Sequence, residues 1–224
     1  MTPKTTFDFG NGSVPAHRHQ NPDGTLGGWV ADSATVATTA WVGEDARVGD
    51  WARVGEGAQV GEGARVDVWA QVDVRARVGA NAWVGANAWV GAGARVGENA
   101  RVGEDAGVGT GARVGEYTRV GAGARVGDWA RVGDWGIVNG DDILTGHLGG
   151  HYWTIYRTTN GWHIQYGCEV HPLEWWQKQD LQALSMRHGH PADHSRFTAA
   201  VLGFAQAEAF TLLTAHPQSA PSPE

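Results

Sequence analysis

Cysteine is all but missing from this chain of 224 residues. Cys168 stands alone, which excludes an internal disulfide framework and fits a reducing compartment. Long apolar runs are missing too. The longest candidate, from Phe197 to Ala215, is interrupted by Gln206 and Glu208, short of the roughly 18 uninterrupted apolar residues a membrane-spanning helix needs. No basic segment followed by an apolar stretch opens the chain, so a secretory leader is not expected. Excess positive charge is lacking as well. The formal net charge of -7 argues against general affinity for nucleic acid or an anionic membrane. These absences point to a soluble, cytoplasmic protein. A last one concerns chemistry: between Val30 and Val138 there is no histidine and no lysine.

What fills that stretch is a phrase of six residues. A valine falls on every sixth position from Val30 to Val138, nineteen in one frame, and a very small side chain sits two residues before each. That small residue is alanine except at Gly28, Thr118 and Gly136. On an extended strand the two point the same way, and the residue between them points out. The next two or three residues carry Gly, Asp, Asn and Glu, as corners do. A helix is excluded, because a six-residue apolar period keeps no face at 3.6 residues per turn. A hairpin meander is excluded by strands too short to pair alone.

Phrases such as Ala46-Arg47-Val48-Gly49 and Ala94-Arg95-Val96-Gly97 resemble the hexapeptide-repeat family. That resemblance implies a mainly β fold, a left-handed parallel β-helix of about six coils with three phrases per coil. Residues eighteen apart then stack in three outward ladders. The first carries Trp29, Arg47, Arg65, Trp83, Arg101, Arg119 and Ile137, and the second Thr35, Arg53, Gln71, Trp89, Gly107 and Arg125. The third carries Trp41, Gln59, Arg77, Arg95, Arg113 and Arg131. Carboxylates at the corners slightly outnumber the arginines, which predicts a self-neutralised, salt-bridged wall and argues against a nucleic-acid track on charge grounds. Trp41, Trp83, Trp89, Arg95 and Arg113 are the candidates for contact with a protein partner or another copy, since aromatics and arginine are enriched at interfaces. Family resemblance favours a homotrimer.

Four regions follow: a flexible lead-in over 1–27, the β-helix over 28–140, an α+β capping module over 141–216, and a disordered tail over 217–224. In the module, residues 151 to 157 read as a strand, Asn160-Gly161 as a two-residue hairpin turn, and Trp162 to Val170 as the returning strand. A helix from Pro172 to about Arg187, closed by Gly189, and a second from Asp193 to about Ala215 complete it. His17, Arg18 and His19 read as a solvated tail.

The module resembles the C-terminal part of uncharacterised phage and prophage hexapeptide-repeat proteins. The matching residues are Tyr156-Arg157-Thr158, Gly161, Gly167-Cys168, Leu173, His188-Gly189, His194 and Ala199-Ala200. Family acyltransferases take a catalytic histidine from a coil or an inserted loop, and family carbonic anhydrases bind metal with histidines from the coils. This array has neither histidine nor insertion. The expectation is therefore a non-enzymatic binding protein of phage or prophage origin, docking a macromolecule or sequestering a ligand in the host cytoplasm, with counter-defence as one use. The first alternative is a structural phage component, a rigid column or trimeric spike. The second is a hexapeptide-type transferase or metal-dependent enzyme with its site in the C-terminal module. No cofactor is expected, with zinc as the exception to test: Cys168, His188, His190 and His194 supply ligand types it prefers, without a strong spacing motif.

Overall fold

The computed structural model describes residues 5–139, 143–148, 151–158, 160–167, 169–187 and 199–203. Its body is a parallel β-solenoid of about six turns. Strand β3 (Leu26–Ala31) starts it, and strands of two residues follow, one in each phrase, from β4 (Thr35–Val36) to β20 (Arg131–Val132). Strand β21 (Gly136–Val138) ends it. Each phrase pairs with the phrase eighteen residues on. Arg77 lies beside Arg95, Arg95 beside Arg113, and Arg113 beside Arg131. The three ladders expected from the period are the three sheets observed.

The core follows from the composition of the phrase. From Val42 to Val138 every valine of the six-residue frame is buried, with the alanine two places before it where there is one, and these side chains form one column of contacts. The exception among the small positions is instructive. Thr118 is buried, and its hydroxyl donates to the Gly133 carbonyl at 2.8 Å and accepts from Gly136 N at 3.2 Å, so no polar atom is left unpaired. The glycine that follows most of these valines is there for proximity. A Cβ on Gly97 would lie 2.6 Å from the backbone nitrogen of Glu116 in the next coil. Where Asp67 and Asp73 replace that glycine, each carboxylate accepts a hydrogen bond from an indole of the coil above, Trp83 at 2.6 Å and Trp89 at 2.8 Å.

Corners are the unexpected part of the solenoid. From Asp45 to Trp135 one residue of each corner is left-handed, a backbone that favours Gly and Asn. Yet Trp51, Trp69, Tyr117, Trp129 and Trp135 occupy it, at φ between 56° and 61°. Trp51 stacks on Trp69 one coil above at 5.3 Å, and Tyr117 on Trp135 at 4.3 Å. Ring stacking of this kind offsets the backbone strain, both being of order 1 kcal/mol.

The salt-bridged wall is not what forms. Among the described residues the ion pairs are His17–Asp32 and His171–Glu169, and no arginine of the ladders has a carboxylate oxygen within 4.0 Å. Corner carboxylates turn to backbone instead: Asp128 accepts from Thr110 N and Asp134 from Glu116 N, both at 2.8 Å. The Arg47 guanidinium lies over the Phe7 ring, 5.3 Å from its centroid.

Both ends of the column are closed by antiparallel strands. The stretch read as a flexible lead-in contains β1 (Thr6–Asp8) and β2 (Ser13–Gln20), and β2 pairs with β3. His19, expected in solvent, is buried with Nε2 at 3.1 Å from the Ala40 carbonyl. His17 is exposed, its Nδ1 2.9 Å from Asp32. At the other end come β22 (Ile143–Leu148), β23 (His151–Thr158), β24 (Gly161–Tyr166) and β25 (Glu169–Pro172). β21 pairs with β23, so the first solenoid face continues into the module as one thirteen-stranded sheet.

Four details of the module differ from expectation. β22 was not foreseen. Thr158 pairs with Gly161, so the bend falls one residue before Asn160-Gly161. The returning strand stops at Tyr166 and doubles back as β25 rather than running on to Val170. The single helix expected from Pro172 is two, α1 (Leu173–Trp176) and α2 (Leu181–Arg187), because Asp180 starts α2 afresh by accepting from the backbone of Gln182 and Ala183. Residues 199–203 are helical; the rest of the second expected helix and residues 217–224 lie outside the described residues. Ile155, Trp162, Ile164, Leu173, Trp176, Leu184, Val201 and Leu202 form a second core.

Candidate functional site

Polar groups collect where the last coil meets the hairpin of β23 and β24. Gly133 and Asp134 leave β20 and turn the corner at Trp135. Tyr156 descends on them from β23, and a Cβ on residue 133 would sit 2.7 Å from the Tyr156 hydroxyl, so only glycine admits that phenol. Around these residues lies a cavity of about 400 Å³, lined also by Thr158, Asn160, His163 and Val170. That volume is at the small end of ligand sites.

The hairpin fixes the imidazole of His163. Its Nδ1 is 3.3 Å from the Gly161 carbonyl and 3.2 Å from the Thr158 hydroxyl. The same hydroxyl donates to the Gly161 carbonyl at 3.2 Å and accepts from Asn160 N at 3.0 Å. With Nδ1 donating to that carbonyl, Nε2 is the ring nitrogen left to accept. This is the arrangement of a general base held in one tautomer. Tyr156 is buried beside it, the rings 5.9 Å apart. Burial pushes the Tyr156 phenol above its ordinary value, and the Asp134 charge adds to this against a backbone hydrogen bond with Gly133. At neutral pH the hydroxyl is a donor.

Trp135, 58% exposed, also lines a neighbouring groove of about 490 Å³ with Tyr117, Asn81, Asn99, Arg101 and Arg119. At the far end of the same hairpin a third cavity, of about 320 Å³, lies between Trp129 and Tyr152 beside Arg113 and Arg131.

Of the residues singled out in sequence, Trp41, Arg95 and Arg113 lie together on the third face and line one open trough. Trp83 and Trp89 stand on the first and second faces, with their indole nitrogens held by Asp67 and Asp73. The zinc candidates Cys168, His188, His190 and His194 lie outside the described residues, among which no group of three or more His, Cys, Asp or Glu is placed to hold a metal ion. His163, Tyr156 and Trp135 were missed. One signal stood in the sequence: Gly127-Asp128-Trp129 and Gly133-Asp134-Trp135 put a bulky ring into two consecutive corners just before the frame ends.

The family model described as the hexapeptide repeat of succinyl-transferase matches residues 75–103 and 93–128. No curated protein sequence matches the chain. Among solved structures, a GDP-perosamine N-acetyltransferase of Caulobacter crescentus, in complex with CoA and GDP-perosamine, is 28% identical with a TM-score of 0.48. The match covers 55% of this chain and 54% of that one, so the chain spans about half the length of that enzyme. The acetyltransferase domain of PglB from Neisseria gonorrhoeae is 26% identical over 55% of this chain and 56% of its own, with a TM-score of 0.28. A hexapeptide transferase family protein from Anaplasma phagocytophilum is 16% identical over 54% and 76%, with a TM-score of 0.27.

The array is a hexapeptide-repeat solenoid, and the family model it matches is described from a succinyl-transferase. The family match overturns the expectation of a non-enzymatic binding or structural protein of phage origin. That expectation rested on the missing coil histidine; the match favours instead the second alternative, a hexapeptide-type transferase. Among the described residues no helix is long and apolar enough to cross a membrane.

Proposed function

We propose that this protein is a transferase of the hexapeptide type, moving an acyl group from a thioester to a hydroxyl or amine at the cavity under the β23–β24 hairpin. The observation that carries this reading is His163, held through Nδ1 so that Nε2 is free to take a proton at the edge of a cavity of about 400 Å³. The acceptor's X–H attacks the acyl carbon, and Nε2 takes the proton as the X–C bond forms. The tetrahedral oxyanion collapses, the C–S bond breaks, and the proton passes to the leaving thiolate. Tyr156, kept protonated by burial, is the nearest donor for the oxyanion. The family description supports the acyl class, and the chain's own residues supply the base.

Thiol release from acetyl-CoA and succinyl-CoA, over a panel of hydroxyl and amino acceptors, tests it. His163→Asn is expected to lower the rate by about a hundredfold or more with the melting temperature unchanged. A variant as active as the parent ends the proposal. Self-association as a trimer goes with this reading, with the Trp41 face as the contact, and light scattering on Trp41→Ala measures it.

A further inference from the structure

The corner aromatics come in vertical pairs, and one pair is unlike the others. Tyr117 and Trp135 lie at 4.3 Å with planes 5° apart, and Trp51 and Trp69 at 5.3 Å and 9°; both are closed stacks. Trp129 has no aromatic coil partner, since Gly111 lies one coil below it and the phrases end above. Its neighbour is Tyr152 of β23, 6.3 Å away and splayed by 30°. Trp129 is seated from beneath. A Cβ on Gly111 would lie 2.5 Å from its ring, so the indole rests on that corner with one face and turns the other towards Tyr152. Both rings are largely open to solvent, Trp129 at 52% and Tyr152 at 42%.

A planar ring held between two others needs about 7 Å, two van der Waals contacts of roughly 3.5 Å each. The centroids of the two rings stand 6.3 Å apart with their planes 30° from parallel. The chemistry beside the gap is cationic. Arg113 and Arg131 are register neighbours on the third face and line the same cavity, and neither has a carboxylate within 4.0 Å among the described residues. Among the described residues no acidic one lines it. Two guanidiniums on adjacent strands offer a paired fork for one carboxylate. The floor is rigid: Gln165 is buried, its Nε2 donates to the Gly167 carbonyl and its Oε1 accepts from Thr154. The volume of about 320 Å³ suits a mono- or bicyclic acid and not a large nucleotide cofactor.

We infer that the Trp129–Tyr152 cavity is a binding site for a small planar aromatic carboxylate, its ring between the two side chains and its carboxylate on Arg113 and Arg131. This site is separate from the His163 cavity, at the other end of the hairpin, and does not depend on the acyl-transfer reading.

Quenching of tryptophan fluorescence and calorimetry on the full chain test it, with 2-naphthoate as the probe. Submillimolar binding is expected, at least tenfold weaker in Tyr152→Ala and in Arg113→Gln/Arg131→Gln, and tenfold weaker for cyclohexanecarboxylate, which has the charge without the plane. Trp129→Leu gives a second reading should Tyr152→Ala fail to fold. His163→Asn should leave the affinity unchanged, which separates this site from the proposed active site. Absence of binding, equal binding of cyclohexanecarboxylate, or affinity unmoved by every one of these variants would overturn the inference. So would adenosine monophosphate binding more tightly than naphthoate, since a nucleotide would then be the occupant.

Discussion

The solenoid and the module on its last coil bury apolar surface by opposite means. The solenoid does it with alanine and valine at fixed positions, so every coil meets an almost identical coil and its outward residues fall into straight rows. The module does it with a mixed set, Trp162, Ile164, Tyr166, Leu173 and Trp176 among them, on strands and short helices of unequal length. Regularity gives the first region strength and leaves no room for a hollow in its core. Irregularity gives the second a ragged underside, and the small cavities with Tyr156, His163 and Tyr152 occur where that underside meets the regular end. Chemistry belongs to the seam.

The contrast can be broken most severely from inside the column. Val84→Asp buries an unpaired carboxylate among packed coils. We expect a loss of about 4 kcal/mol or more, read as the disappearance of a cooperative thermal transition. Glycines sharpen the comparison within the solenoid itself. Gly97→Ala drives a methyl against the next coil and should cost about 3 kcal/mol by chemical denaturation. Gly93→Ala, at a corner with φ of 66° and nothing within 4 Å, should cost only about 1 kcal/mol. Equal losses at the two would refute close coil approach as the reason for the glycine row. Smaller again is Asp67→Ala, which leaves the Trp83 indole without its carboxylate: about 1 kcal/mol, with a shift in tryptophan emission.

The module should respond to alkali where the solenoid does not. The raised Tyr156 phenol means that above about pH 10 the unfolded chain loses this proton before the folded one does. Its stabilising effect is complete below that pH and is lost as pH rises through the folded value. Near-ultraviolet circular dichroism of the module should therefore weaken in that range while the far-ultraviolet signal of the column persists. Tyr156→Phe should flatten this pH dependence.

How legible each region was in sequence follows from the same contrast. Every valine of the array names its own neighbour, because a period of six with three phrases per turn leaves one stacking partner for each residue. The ladders were readable down to the pairing of Arg77 with Arg95. The corner rings were not, since a tryptophan at a left-handed position runs against backbone preference, and only the residue eighteen places away supplies the stacking that offsets it. His163 was illegible for another reason. Its tautomer depends on where the hairpin bends, and a shift of one residue decides whether the imidazole meets the Gly161 carbonyl. The arginines were misjudged because charge balance counts ions without saying which carboxylates are already engaged by backbone, as Asp128 and Asp134 are.

The eighteen-residue register also limits how such a gene can change in length. Gain or loss of one phrase rotates everything beyond it by a third of a turn, moving the Arg77-to-Arg131 row onto another side and presenting a different corner to the hairpin. Three phrases together leave every row continuous and every seam intact. Duplication by whole coils is thus the inheritable step, and the module rides along as a fixed cargo on a column of adjustable height.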